Sequence, residues 1–156
     1  MLAYTINVFG SSNAIIGSTG SDNVAIFGSN NLFYDRGGDD TVAVYGSGNN
    51  IVGGSGNDTI TLYGSSNVVS SGGGNELINF VGGGDKLLDD DSHFADTVVG
   101  FVEGSDQIQL SGGDTAASAV ASQQQVNSGQ DTLITLSDGS TILLKGIAHV
   151  DQGFFS

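Results

Sequence analysis

Four carboxylates stand at a constant 18-residue interval along this chain: Asp22, Asp40, Asp58 and Glu76. A glycine precedes each by two positions, at Gly20, Gly38, Gly56 and Gly74. Carboxylates brought close together either share a cation or accept hydrogen bonds from the N–H groups of their own turns. Glycine bears on the first, because it reaches positive φ without strain and lets a turn aim its carbonyl oxygens at a common centre. Calcium takes six to eight such oxygens at about 2.3–2.6 Å. If the four acids stack at strand spacing, about 4.8 Å apart, each pair repels by roughly 1 kcal/mol even at the dielectric constant of water. A cation between them turns that repulsion into attraction.

The balance of charge favours the same chemistry. Seventeen acids against three bases give a formal net charge of -14, which repels a phosphate backbone or an anionic lipid surface and attracts cations. Nucleic acid and membrane insertion are therefore not expected. The absence of cysteine excludes disulfides, thiolate zinc sites and a cysteine nucleophile. His93 and His149 are the two histidines; neither belongs to an HExxH motif or has a second ligand nearby, so both are read as surface or packing residues. There is no G-x-S-x-G elbow and no Walker A loop, and a carboxylate column engaged by calcium makes a poor general acid or base. The chain is not expected to be an enzyme.

The elements that would position these acids follow from the same interval. The pairs Phe9-Gly10, Phe27-Gly28, Tyr45-Gly46 and Tyr63-Gly64 recur with the same 18-residue step, and Val81-Gly82 continues them. Val24, Val42, Ile60 and Ile78 follow the acids by two positions, and Ile26, Val44, Leu62 and Phe80 come two later, on the same side of an extended strand. Half a coil away, Asn13, Asn31, Asn49, Asn67 and Asp85 are followed by Ile15, Phe33, Ile51, Val69 and Leu87 in the same relation. Each coil thus holds two short strands and two glycine-rich turns, and neither half can bury its apolar face alone. The predicted fold is all-β, a parallel β-roll or β-solenoid of about four to five 18-residue coils over 1–89, capped by a β-rich segment over 90–156. Helices are excluded for the repeats because the apolar positions alternate and each glycine would cost about 1 kcal/mol. Disorder is disfavoured by a hydrophobic content of 38%.

The two edges of such a roll differ. The turns FGSSN, FGSNN, YGSGN and YGSSN place Ser11, Ser29, Ser47 and Ser65 before Asn13, Asn31, Asn49 and Asn67. The asparagines are expected to form a structural ladder that closes this edge without metal; only VGGGD, ending at Asp85, recovers an acid. Calcium is expected along the acidic edge, up to about three ions, in the gaps 22/40, 40/58 and 58/76. The outer gaps are the weaker ones, because Ser18 and Arg36 stand where the repeat has glycine and Glu76 is longer than Asp. That these acids serve only turn N–H groups remains the alternative. The column Phe9, Phe27, Tyr45 and Tyr63 reads first as a stabilising ladder and second as a glycan or partner surface. Outward-facing Ile16, Leu32, Tyr34, Val52 and Val68 suggest a covering segment or a self-association face.

The stretch Gly53-Gly54-Ser55-Gly56-Asn57-Asp58-Thr59-Ile60-Thr61 fits the nonapeptide G-G-x-G-x-D-x-U-x in full. In this stretch, and in the G-x-D/E cores around it, the chain resembles the RTX, or hemolysin-type calcium-binding repeat, family. The tail is similar too: Asp96, Val98, Phe101, Gly104, Asp106, Ile108 and Leu110 hold most positions of the D-x-I-x-x-F-x-x-G-x-D-x-I-x-L segment that follows the repeats. The resemblance implies a calcium-bound β-roll exported by type I secretion machinery with an uncleaved C-terminal signal, folding once it meets extracellular calcium. The opening MLAYTINVFGSSNAIIG shows no basic n-region and no sustained apolar h-region, so export without an N-terminal signal peptide is expected.

Further along, ADTVVGFVEGSDQIQL reads as two strands around an acidic turn, Asp114 to Val126 as room for a short helix, and TLITL and TILLK as a hairpin about Ser137-Asp138-Gly139-Ser140. The run Asp89-Asp90-Asp91 is read as a solvated cap rather than a further cation site, and Phe154-Phe155 as part of the signal or as a buried end cap. Two functions stay open. One is a secreted structural, adhesive or self-associating module whose partner is itself or an extracellular polysaccharide. The other is a non-catalytic secretion and folding module, in some cases glycan-binding, of a larger polysaccharide-active or proteolytic enzyme.

Overall fold

The computed structural model describes residues 2–89 and 94–156; the expectations for Asp90, Asp91 and His93 fall outside them. The odd-numbered strands β1 (Thr5–Phe9), β3 (Asn23–Phe27), β5 (Thr41–Val44), β7 (Thr59–Leu62), β9 (Leu77–Phe80) and β11 (Ala95–Val99) stack in parallel in one sheet. The even-numbered strands β2 (Ala14–Ile16), β4 (Leu32–Tyr34), β6 (Asn50–Val52), β8 (Val68–Ser70), β10 (Lys86–Leu88) and β12 (Gln107–Gln109) stack in a second. Register follows the sequence interval, Val24 opposite Val42 and Val42 opposite Ile60. The fold is thus the expected all-β solenoid of 18-residue coils. One apolar layer lies between the sheets: Val24, Ile26, Phe33, Ile51, Ile60, Leu62, Val69 and Ile78 are fully buried. Alternation makes this possible, since residues two apart on a strand share a face.

The 18-residue phase stops near residue 89, but the stacking continues. Thr97 pairs with Leu77 and Gln107 with Lys86, so β11 and β12 extend both sheets at steps two and three positions longer than the repeat. Parallel pairing constrains the strands and leaves the connecting turns free to lengthen. The two strands expected in ADTVVGFVEGSDQIQL therefore lie in different sheets rather than beside each other. Beyond them come α1 (Ala116–Ser122), β13 (Gln124–Val126), β14 (Asp131–Thr135) and β15 (Thr141–Lys145). Thr115 caps α1 by accepting the Ser118 N–H at 3.1 Å. The hairpin β14–β15 forms about residues 137–140, and β15 runs parallel to β11, so the hairpin extends the first sheet, which ends with β13 beside β14.

The open end of the core is closed by aromatic rings. Phe101 stacks on Phe80 at 6.1 Å and on Phe154 at 5.3 Å, and Phe154 and Phe155 are buried. The Ser156 N–H donates to the Ile108 carbonyl at 3.0 Å. Of the two readings of Phe154-Phe155, burial at the end of the roll is the one with a structural counterpart. No helix among the described residues is long and apolar enough to cross a membrane.

Candidate metal centre

The acidic edge is built by the turns 17–22, 35–40, 53–58 and 71–76, each leading from an even-numbered strand to the next odd-numbered one. Asp22, Asp40, Asp58 and Glu76 all point into this edge and are 2–3% exposed. Their spacing comes from close backbone approach. A Cβ on Gly56 would lie 1.9 Å from the Gly38 carbonyl oxygen, and one on Gly74 1.7 Å from that of Gly56. Gly38, Gly54, Gly56 and Gly74 also have positive φ, which side chains rarely adopt. A Cβ on Gly20 would lie 2.3 Å from the Leu2 carbonyl oxygen, and one on Gly53 2.2 Å from that of Ser71. The Ser55 carbonyl accepts the Gly38 N–H at 2.8 Å.

One oxygen each of Asp40, Asp58 and Asp96 serves the backbone. Asp40 Oδ1 accepts the Asp22 N–H, Asp58 Oδ1 the Asp40 N–H at 2.8 Å, and Asp96 Oδ1 the Glu76 N–H at 3.1 Å. The second oxygens of Asp40 and Asp58 are buried with no hydrogen-bond partner. Asp22 differs. Burial pushes its carboxyl up, but the Ser18 and Tyr4 N–H groups and the Ser18 hydroxyl outweigh that and hold it below the ordinary carboxylate value; the bonds are 3.0, 2.7 and 3.1 Å.

A further acid joins this group. Asp35 occupies the coil position of Gly17 and Gly53 and is 1% exposed. Its Oδ2 accepts the Gly37 N–H at 2.8 Å, while Oδ1 is buried without a partner. A Cβ on Gly17 would lie only 2.1 Å from Asp35 Oδ1, so this carboxylate reaches across the turn of the preceding coil. Asp22, Asp35 and Asp40 each bring an oxygen within 4.8 Å of the others. Burial, reinforced by the adjoining Asp40 carboxylate, pushes Asp35 up to about 8. Asp58 is pushed up to about 6 by burial, with the charges of Asp40 and Asp39 adding to it against the hydrogen bond from the Asp40 N–H. Asp35 lies outside the repeating column of acids, and its one signal in the sequence is an acid standing in a glycine column.

On the opposite edge the same pose is filled by amides. Asn31 Oδ1 accepts the N–H of Asn13 at 2.8 Å and its side-chain amide at 3.1 Å. Asn49 Oδ1 receives the same pair from Asn31, and Asn67 Oδ1 from Asn49. Asn31, Asn49 and Asn67 are buried. The Ser29 N–H donates to the Ser11 hydroxyl at 3.1 Å, and the hydroxyls of Ser47 and Ser65 lie 3.3 Å apart. Each amide thus supplies the donor that a carboxylate lacks, so this edge closes on itself and the acidic edge leaves buried oxygens over. Nearby, the rings of Phe9, Phe27, Tyr45 and Tyr63 stack at 5.1, 4.9 and 4.8 Å, within 8° of parallel. Their faces cover one another within the column, and all four rings remain exposed, Phe9 the most. Ile16, Leu32 and Tyr34 are exposed, whereas Val52 and Val68 are half-buried. His149 is exposed.

The scaffold that carries these acids has counterparts among solved structures but not among sequences. No family model matches the chain, and no curated protein sequence does. The fold is similar to the extracellular lipase LipA of Serratia marcescens, with a TM-score of 0.53, 16% identity, and coverage of 94% of this chain and 38% of the lipase. It also aligns with a subunit of the mannuronan C5-epimerase of Azotobacter vinelandii, with a TM-score of 0.41, 19% identity, and coverage of 97% and 78%. The chain spans well under half the length of the lipase it matches, and at this identity the likeness is one of fold.

Proposed function

We propose that this chain is a calcium-binding β-roll module of a secreted protein, held along its acidic edge by up to about three calcium ions. One observation carries the reading: the second oxygen of Asp58 is buried without a donor and those of Asp35 and Asp40 have only each other, while the equivalent amides of the opposite edge are bonded. Leaving a buried acceptor unsatisfied costs about 1–3 kcal/mol, more for a charged group. The donors present are hard oxygens from carboxylates and glycine-rich turn carbonyls, the set calcium prefers. Asp35, Asp40 and Asp58, with Asp22 and Glu76 beside them, would hold the ions; bound calcium would supply the positive charge that allows these coils to stack. The tail positions Asp96 to Leu110 support export by type I secretion, with folding completed in extracellular calcium.

A second reading makes the chain the non-catalytic folding and secretion module of a larger extracellular enzyme, polysaccharide-active or proteolytic. It is favoured by the likeness of its scaffold to part of an extracellular lipase. Against it stands a self-associating or adhesive module, supported by exposed Ile16, Leu32 and Tyr34. Calcium-driven oligomers in sedimentation would select the self-associating module. For the metal itself, Asp40→Ala and Asp58→Ala should each lower calcium affinity by roughly tenfold or more in titration calorimetry, whereas Asn49→Ala should destabilise the fold and leave affinity within about twofold. Equal losses from both edges would overturn the assignment.

A further inference from the structure

The two ends of the roll are finished differently. At the C-terminal end Phe101 and Phe154 stack beyond Phe80, and the hairpin continues the first sheet. At the N-terminal end β1 and β2 are the outer strands of their sheets, each paired on one side, with β3 and β4. The repeating columns lie open in this first coil. Asn13 is exposed where Asn31, Asn49 and Asn67 are buried, and Ile15 is half-buried where Phe33, Ile51 and Val69 are fully buried. Phe9 is 74% exposed, against 45%, 49% and 48% for Phe27, Tyr45 and Tyr63. In later coils the N–H groups of Thr41, Tyr45 and Asn50 donate to carbonyls of the coil before. Thr5, Phe9 and Ala14 hold the same coil positions with no described coil before them. Free strand edges capture other strands, and they are ordinarily blunted by charge, proline or a bulge. Neither strand is protected in this way. Residues 1–21 contain no charged side chain and no proline, and the pairing of β1 with β3 is unbroken. In a chain of formal net charge -14, this end presents apolar and amide groups without the like charge that would keep a second copy away.

We propose that this end docks a second copy of the chain, β1 against β1 and β2 against β2, in a closed dimer. The cap blocks head-to-tail stacking, so the copies meet across a two-fold axis and the joined strands run antiparallel. Alternation fixes the register. Ile6 and Val8 of β1 and Ile15 of β2 belong to the apolar layer, and they stay in it when Asn7 lies opposite the partner's Asn7 and Ile15 opposite the partner's Ile15. Ile6 then meets the partner's Val8, so the apolar layer runs through the dimer. Thr5 and Phe9 pair crosswise, and their N–H groups gain carbonyl acceptors. The contact uses residues 5–16, none of them charged. This dimer gives the self-associating reading its face, and it rests on that reading.

The test is sedimentation of the whole chain in millimolar calcium over a range of concentrations. The parent should pass from monomer to dimer and no further. Asn7 is exposed, so Asn7→Lys should keep the circular dichroism of the parent, yet it sets two like charges face to face and should raise the dimer Kd roughly tenfold or more. Cross-linking gives a second readout, since the chain has no cysteine. Directly opposite residues of a hydrogen-bonded antiparallel pair lie about 5.5 Å apart at Cα, within the roughly 4.4–6.8 Å that a disulfide spans. Asn7→Cys should therefore form a covalent dimer under a mild oxidant, whereas Ala43→Cys, at the same coil position two coils on, should not. A parent that stays monomeric up to about 1 mM would overturn both this face and the self-associating reading. Oligomers that persist in Asn7→Lys, with no preferential cross-linking of Asn7→Cys, would overturn this face and leave self-association standing through another. Species that grow beyond dimers with concentration would overturn the closed pair.

Discussion

Asp58 and Asn49 sit in matching poses on opposite edges, each accepting a backbone N–H from the preceding coil at 2.8 Å. What separates them is one atom, an amide nitrogen against a second oxygen. That difference has a pH signature in the metal-free protein. Asp58 and Asp35 are raised to about 6 and about 8 from an ordinary value of 3.8, so between the ordinary and the raised values the folded chain holds protons that the unfolded chain has released. Stability then falls as pH rises through this window. Without divalent cations, scanning calorimetry should give a melting temperature lower at pH 8 than at pH 5 by on the order of 5 °C. Saturating calcium should remove most of that slope, since a cation takes the place of the protons. A metal-free protein that gains stability over the same range would contradict this picture of the buried acids. At this scale the columns of acids and asparagines were legible in the sequence because their interval is fixed. Asp35 was not, since it stands outside the column of acids and the interval does not reveal that its side chain reaches the turn of the preceding coil. Nor was the saturation of Asp22, which depends on Tyr4 lying over the turn.

The unit of this fold is the coil, and its tolerance is set where backbones meet. A Cβ on Gly46 would stand 1.8 Å from the Gly28 carbonyl oxygen, and the same contact recurs at Gly64 and Gly82. Gly46 lies outside the positive-φ set, so the constraint is one of space between coils rather than of local conformation. Gly46→Ala should cost about 2–4 kcal/mol in denaturant unfolding, the range of severe packing defects. Gly139→Ala, in a hairpin turn with nothing within 4 Å but φ of +95°, should cost only about 1–2 kcal/mol. Equal costs would mean that coil spacing is not set by these glycines. The strands themselves were readable from period-two alternation inside an 18-residue repeat. The continuation through β11 and β12 was hidden because their longer connecting turns break the interval while the pairing persists.

Across the whole molecule, two kinds of closure hold the roll together. The asparagines from Asn13 to Asn67, the aromatic column and the capped end around Phe80, Phe101 and Phe154 are closed by hydrogen bonds and stacked rings. The acidic edge leaves buried oxygens over, and on the proposed reading an ion closes it. The chain should therefore keep part of its β-structure in chelator and gain the rest with calcium, rather than pass from fully unfolded to folded. The general form of the roll was legible from composition and period; the end cap was less so, because its contacts join residues far apart in sequence, such as Ile108 with Phe155. A ligand that binds only the folded state adds about 2.7 kcal/mol per site at 100 times its Kd. The most direct measurement is calcium titration of the metal-free chain at neutral pH, followed by calorimetry of unfolding. Binding should saturate, and the melting temperature should climb with calcium concentration. The same melting temperature in chelator and in millimolar calcium, with no saturable heat, would contradict it.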